Sequence, residues 1–256
     1  MKNGEAQGRL VSIVVPVYNK QRFLSETIES VQKQSYAEWE LLLVDDCSKD
    51  ESYEIACAYA KADARIRPIR QEKNQGAAKA RNRGVQEARG RYLCFLDADD
   101  IWEPDKLEKQ LAFVMEEEIP FCFMGYEFAD EAARGLGKIV HVPKTITYHE
   151  ALKNTTIFTS TVMIDRSQIA DEDIFMPEIA SEDTATWWKI LKKYGKGYGL
   201  DENLVRYRRS ANTLSSNKLE AIRRIWCLYR KQENLSLIKS LYCMVFWAVR
   251  AVIRRV

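Results

Sequence analysis

In Tyr92-Leu93-Cys94-Phe95-Leu96-Asp97-Ala98-Asp99-Asp100 an apolar run of strand length ends in three carboxylates. The apolar part predicts a buried strand. Three acids directly after it are costly unless something positive meets them. A hard divalent cation is one answer, since it takes oxygen ligands and keeps part of its shell for phosphates. Asp97 and Asp99 are two apart, so on an extended chain they project to the same side. The plainer answer is a helix cap: Asp100 or Glu103 would precede a helix opened by Pro104. A cap accounts for Asp100 but not for all three acids.

Outward from this stretch the chain alternates strand and helix. Leu10 to Val17 is a β-branched run of the kind that is covered on both faces. Phe23, Leu24, Ile28 and Val31 then recur at helical spacing. Trp39 to Val44 is a second strand and also ends in acid, at Asp45-Asp46. Asp50 can cap a helix through Tyr59, Ile66 to Ile69 is a short strand, and Asn74-Gln75-Gly76 opens a helix over Ala77–Ala88. After the opening strand comes a helix over Pro104–Glu118. Such alternation with short links predicts an α/β fold with a mostly parallel sheet flanked by helices. Ligands of such sheets bind at the carboxyl ends of the strands. Pro16–Asn19, Asp45–Asp46 and Asp97–Asp100 all fall there. Past Glu118 the pattern loosens. Strands are expected at 121–124, 138–142, 161–164 and 204–207, a helix over Asp183–Tyr194, and helices through 217–255 with a break near Asn234-Leu235-Ser236.

Length and composition fit one large domain with an appendage: 256 residues, 46% hydrophobic, 30% charged. The net charge of +2 is unevenly placed. Residues 204–256 carry 12 Lys/Arg against 2 Asp/Glu, and residues 1–203 carry 27 against 35. An acidic body with a basic tail points to an anionic surface as the tail's partner. The six cysteines are scattered without a CxxC pair, which predicts reduced core thiols rather than disulfides or zinc. Residues 1–10 lack an apolar core of signal-peptide type, and the apolar run Leu241–Val249 is too short to span a bilayer.

Two further stretches could carry chemistry. In Asn74-Gln75-Gly76-Ala77-Ala78-Lys79-Ala80-Arg81-Asn82-Arg83-Gly84, a glycine at a helix start lets an anion approach free N–H groups, with Arg81 one turn on. The spacing is neither a P-loop nor GxGxxG, and an ordinary surface helix is an equal reading. Glu182-Asp183 precedes Thr184-Ala185-Thr186-Trp187-Trp188, a partly apolar setting suited to a general base, or simply a helix start with favourable acids. His141 and His149 match no nucleophile pattern and read as structural or surface residues.

Taken in order, Val11–Asn19, Val44-Asp45-Asp46-Cys47-Ser48, Asn74-Gln75-Gly76 with Ala80–Gly84, Phe95–Asp100 and Glu182-Asp183 resemble the family 2 inverting glycosyltransferases of the GT-A fold. Among these the chain looks most like bacterial enzymes of capsular, teichuronic or O-antigen polysaccharide synthesis. The resemblance covers residues 10–210. It implies that Pro16 and Tyr18 flank a nucleotide base, with Asp46 accepting a hydrogen bond from it. Arg81 would face the ribose or diphosphate, and Asp97 would hold the ribose and donor sugar. Asp99 would bind Mg²⁺ or Mn²⁺ on the diphosphate, and Asp183 would deprotonate the acceptor hydroxyl. A nucleotide-sugar, with UDP the expected nucleotide, and a glycan or polyprenyl-linked acceptor are then the partners; nucleic acid is not. The implied organisation is a GT-A domain over 1–210 (nucleotide-binding half 10–118, acceptor-binding half 119–210) and a basic helical tail over 211–256.

Where processive members carry QxxRW, this chain has Trp187-Trp188-Lys189-Ile190, which implies transfer of a single sugar. Tyr207-Arg208-Arg209-Ser210 lacks the histidine that many members place there; its arginines either close over the diphosphate or belong to the tail. In the tail, Ser236, Ser240, Cys243, Trp247, Arg250 and Arg254 form one helical stripe. Leu237, Leu241, Met244, Val245, Ala248 and Val252 lie on the other side. Such a helix suits a membrane interface, making the protein cytoplasmic and peripheral on the inner face of the plasma membrane; packing of its apolar side on the body is the alternative. Rival functions fit less well. A phosphatase of DxDxT type needs Thr at 101, which is Ile. A phospho-acceptor module would leave residues 120–256 unexplained. A non-catalytic nucleotide-sugar binder shares the motifs.

Overall fold

The structure, a computed structural model, describes residues 8–154, 156–209 and 218–253. Its first half alternates as the periodicity predicts: β1 (Val11–Val17), α1 (Leu24–Gln32), β2 (Trp39–Asp45), α2 (Ser52–Ala62), β3 (Ile66–Arg70), α3 (Ala77–Glu87), β4 (Tyr92–Phe95), β5 (Ile101–Trp102) and α4 (Lys106–Glu116). β3, β2, β1 and β4 lie side by side in that order, all parallel. Alternate residues feed two cores, as the pleat requires. Val14 and Leu42 enter one; Ile13, Val15, Leu41 and Leu43 enter the other. This is why β1 and β2 read as unbroken apolar runs. Gly84 lets α3 sit on the sheet, because a Cβ there would lie 2.3 Å from Val14 Cγ1.

The register sets the site. Val17 pairs with Asp45, and Asp45 with Arg70, so three strands end level and Tyr18, Asp46 and Gln71 leave at one rim. β4 runs beside β1, and the Leu96 amide donates to the Val14 carbonyl at 3.0 Å, which delivers Asp97 to the same rim.

The second half contains β6 (Phe121–Ala129), β7 (Gly135–Val140), β8 (Thr145–Thr147), the short helix α5 (Tyr148–Ala151), β9 (Met163–Asp165), the short helix α6 (Asp171–Ile174), α7 (Glu182–Tyr194) and β10 (Lys196–Arg208). Here the sheet is mixed. β9 is antiparallel to both β4 and β6, β10 is parallel to β6, and β5, β7 and β8 pair antiparallel. So the expected mostly parallel sheet holds for the first half only. The β6–β7 link is a tight turn in which Asp130 accepts the amides of Ala132 and Arg134 at 2.9 Å. Only antiparallel strands can be joined that way. β10 is much longer than the expected 204–207, with bulges at Leu200/Asn203 and Asn203/Arg206 that blur its alternation.

The tail is helical with the expected break. α8 (Lys218–Cys227) runs into a π-helical turn, Leu228–Gln232, Asn234 takes a left-handed φ of 50°, and α9 (Leu237–Ile253) follows. Its orientation bears on the alternative in which the apolar side packs on the body. Ser240, Cys243 and Trp247 are the buried stripe, joined to the core that holds Trp187 and Trp188. Tyr229 stacks on Trp188 with centroids 5.5 Å apart. The body therefore takes Ser240, Cys243 and Trp247, with Met244 and Ala248 packed beside them, while Leu237, Ile238, Leu241, Tyr242, Val245, Phe246 and Val249 face outward. Arg254, part of that stripe, and Ser210 lie outside the described residues.

The cysteines are free, and Cys94, Cys122 and Cys243 are buried, as core thiols should be. His141 sits exposed beside Asp201, and His149 lies against Tyr148, so both histidines are structural or surface residues. Among the described residues no helix is long and apolar enough to cross a membrane.

Candidate active site

The β1 and β2 ends are clamped to each other. Asn19 and Cys47 adopt left-handed φ values of 51° and 61°. Ser48 Oγ accepts the Asn19 amide at 3.1 Å, and Asn19 Oδ1 accepts the Lys49 amide at 2.8 Å. These bonds hold two residues in a sparsely populated conformation, which a surrounding structure must over-determine. The result presents Tyr18 at the rim with its ring exposed, while Pro16 is half-buried within β1.

Asp46 is buried and accepts three hydrogen bonds: from Gln71 Nε2 at 2.6 Å, the Gln75 amide at 2.8 Å and the Gly76 amide at 2.7 Å. Gly76 supplies the φ of 88° that this approach needs. The Gln75 and Gly76 amides just before α3 are thus already held. Asn74–Gly84 is more than a plain surface helix. It is the segment through which Asp46 fixes α3.

Fixing α3 places Arg81. Its guanidinium is buried, with one terminal nitrogen on Asp97 and the other on Glu182, both at 2.7 Å. Nε has no partner. Burial works against its charge, but Asp97 and Glu182 outweigh it and raise its pKa. Burial pushes Glu182 up, with Arg81 opposing. The sequence reading gave Arg81 to the ribose or diphosphate; in this structure its two terminal nitrogens bridge Asp97, after β4, to Glu182 of α7.

Asp97 to Asp100 form a turn, closed by the Asp100 amide on the Asp97 carbonyl at 3.0 Å. Asp97 and Asp99 therefore do not project together as on an extended chain. Asp97 meets Arg81, and Asp99 forms an ion pair with Lys20. Asp100 caps no helix. It is fully buried, with one oxygen accepting the Ser160 hydroxyl at 2.6 Å and the other the Arg208 amide at 3.1 Å. Burial, then Asp97 and Asp99, push its pKa well above the usual carboxylate range, favouring a neutral carboxyl. Asp105, with α4 starting at Lys106, occupies the cap position expected of Asp100 or Glu103.

Arg208 ends β10 and so belongs to the body rather than to the tail. It is buried, and donates to the Asp99 carbonyl at 2.7 Å, the Glu131 carbonyl at 2.6 Å and Glu26 at 2.6 Å. It supports the acidic turn from behind. Arg209 lies over Phe128.

Asp183, in the first turn of α7, accepts the Thr159 hydroxyl at 2.9 Å and the Thr184 amide at 2.6 Å. Ser160, the next residue, accepts the Asp97 amide at 3.1 Å while bonding Asp100. Adjacent residues of one short turn, Thr159–Thr161, thus touch Asp183 on one side and the acidic turn on the other. Trp187 and Trp188 are core residues, Trp187 packing on Phe95 and Phe121. Sequence reasoning missed Lys20, Thr159 and Ser160. No local signal marks them, since each is brought to the acids by strand pairing far away in sequence.

A divalent ion would find only oxygen donors here, from Asp99 and the Asp97 oxygen that is not bonded to Arg81. No group of three metal-ligating side chains exists among the described residues. That fits an ion of the magnesium type, which takes one or two carboxylates and draws its other ligands from phosphates and water.

A parallel half that ends in an acidic turn, closed by a mixed half that brings another carboxylate to it, is the GT-A plan of glycosyltransferases. Two solved structures share it. TarS 1–349 of S. aureus in complex with UDP-GlcNAc superposes with TM-score 0.70 at 21% identity, over 94% of this chain and 71% of that one. The mannosyltransferase PcManGT from Pyrobaculum calidifontis, in complex with GDP-Man and Mn²⁺, gives 0.71 at 14% identity, over 96% and 74%. The chain belongs to glycosyl transferase family 2, whose family model matches residues 12–173. Among its relatives, a Bacillus subtilis (strain 168) protein assigned to teichuronic acid biosynthesis, the glycosyltransferase TuaG, is 45% identical over 96% of this chain and 97% of its own. The Escherichia coli UDP-Glc:alpha-D-GlcNAc-diphosphoundecaprenol beta-1,3-glucosyltransferase WfgD is 37% identical over 85% and 84%. The protein is a glycosyltransferase, and the phosphatase and phospho-acceptor readings fall away.

Proposed function

We propose that this enzyme transfers one sugar, with inversion, from a UDP-sugar to a hydroxyl of a polyprenyl-linked glycan in the synthesis of a surface polysaccharide. The observation that supports this is the Thr159–Ser160 turn, in which one hydroxyl bonds Asp183 and the next bonds the Asp97–Asp100 turn. One side of the cleft can thus hold a leaving diphosphate while the other takes a proton. The relatives' names supply the donor and acceptor classes.

In this reading the nucleoside lies at the rim between Pro16 and Tyr18, Tyr18 stacking on the base and Asp46 fixing the loop beside it. Asp97 orients the ribose and donor sugar. Asp99 would hold a divalent cation, which when bound neutralises charge on the diphosphate. Asp183 takes the acceptor hydroxyl's proton as that oxygen attacks C1. The new C1–O bond forms on the face opposite the breaking one, and the electron pair leaves on UDP. Residues 10–118 serve the donor and 119–210 the acceptor.

Purified protein incubated with Mn²⁺, a panel of nucleotide-sugars and a polyprenyl-diphosphate-linked saccharide should release UDP from a UDP-sugar. Release from no donor counts against the whole reading.

The tail then docks the enzyme on the membrane's cytoplasmic face. The outward face of α9 is apolar, and residues 204–256 hold the excess of positive charge. Leu241→Ser with Val245→Ser should lower binding to anionic phospholipid vesicles by roughly tenfold or more, given about 1.5–3 kcal/mol per buried aliphatic side chain. Co-sedimentation equal to wild type would rule out this docking mode.

A further inference from the structure

We propose that Lys20 neutralises the acidic turn in the donor-free enzyme and moves to the diphosphate when the donor binds, so that it couples cation binding to nucleotide binding. This rests on the UDP-sugar reading of the same cleft. Lys20 pairs with Asp99, the residue best placed to hold a divalent cation. Three cations touch the acidic turn among the described residues: Arg81, Arg208 and Lys20. The two arginines are buried and each is held by several partners. They cannot leave without breaking the fold around them. Lys20 is different. Its side chain is 33% exposed and that of Asp99 is 19% exposed, so water reaches the pair. An ammonium on a flexible stem can swing between oxygen acceptors, which a guanidinium clamped at both ends cannot.

The stem's origin is fixed. The Lys20 amide donates to Ser52 Oγ at 2.7 Å, and its carbonyl accepts the Phe23 and Leu24 amides at 2.9 Å. Lys20 starts two residues after Tyr18, at the nucleoside rim, and its ammonium ends on Asp99. A diphosphate joining a base at Tyr18 to a sugar at Asp97 would run from the segment that carries Lys20 to the turn that its ammonium meets. A divalent ion arriving alone meets the ammonium on its own ligand and is repelled. Arriving with a diphosphate, it gives the ammonium phosphate oxygens to move to. The lysine should therefore weaken binding of the bare ion and strengthen binding of nucleotide.

The test is Lys20→Met and Lys20→Arg, with Mn²⁺ titrated alone by electron paramagnetic resonance and UDP titrated calorimetrically in saturating Mn²⁺. Lys20→Met should bind Mn²⁺ alone several-fold more tightly, and UDP roughly tenfold more weakly, on the scale of one partly screened charge. Lys20→Arg, which keeps the charge, should bind Mn²⁺ alone as wild type does. Shifts of the same sign in both titrations, no shift, or Lys20→Arg behaving like Lys20→Met would overturn the proposal, because a purely structural role cannot move the two affinities in opposite directions. If wild type itself binds no UDP, the UDP-sugar reading fails and the inference goes with it. If wild type binds UDP and Lys20→Met changes nothing, only the inference fails.

Discussion

Asp183→Asn is expected to lower kcat for sugar transfer by roughly 10²–10⁴-fold while leaving UDP affinity close to wild type. The asparagine keeps what the structure shows Asp183 doing in the fold. Its carbonyl oxygen can still accept the Thr184 amide, bonded at 2.6 Å in the native chain. The start of α7 should stay in place, and Arg81 still holds Glu182 next to it. What is lost is the capacity to take a proton from the acceptor. Steady-state kinetics with donor and acceptor varied separately, together with UDP titration, check this. A variant with full transfer activity would unseat Asp183 as the base and reopen the non-catalytic binder as a reading.

Arg81→Met should be the most damaging substitution for stability. The side chain is buried and both terminal nitrogens are engaged at 2.7 Å. Removing it leaves Asp97 and Glu182 facing each other without a counter-charge. Breaking a buried pair by taking one partner costs about 3–5 kcal/mol. Here the lower end applies, since Asp97 is 29% exposed and Glu182 19% exposed, and water can relieve part of the loss. For a chain of this size that lowers Tm by roughly 10 °C. Activity should fall as well, because the bridge ties the acidic turn to the helix that carries Asp183. Ser181 enters that helix with a left-handed φ of 61° and no side-chain cap, so the Arg81–Glu182 bond is one of few ties at its start, alongside Thr159 on Asp183. Arg81→Lys should recover only part of the loss, as one ammonium cannot span two carboxylates as a fork does. Thermal unfolding within about 2 °C of wild type for Arg81→Met would show that the bridge is not a structural tie.

The legible part of this protein lay in its first half. Apolar runs of strand length, helical spacing between them and acids at the strand ends told of parallel strands with a site at their carboxyl rim. Period and polarity are local, and β1, β2 and β3 are each followed directly by a helix. The second half was less readable for physical reasons. β10 carries two bulges that break the alternation, and β9 is only three residues long. Antiparallel pairing in that half follows from tight turns and long-range contacts, which leave no period in the sequence.

Side-chain roles divide in the same way. The sequence by itself determined which residues could carry charge at the rim: Asp46, Arg81, Asp97, Asp99 and Asp183 are all visible as polar punctuation after apolar segments. It also determined that the tail is basic and amphipathic. Only the tertiary structure decided what each charge faces. Arg81 became a bridge, Asp100 a buried anchor, Arg208 a support behind the turn and Lys20 the solvent-reachable partner of Asp99. It also turned Ser240, Cys243 and Trp247 of α9 inward and Leu237, Leu241 and Val245 outward. The reason is common to all of these. Residue type fixes which charges and surfaces a chain must satisfy, but the partner that satisfies each one comes from elements tens of residues away, and only packing brings them together.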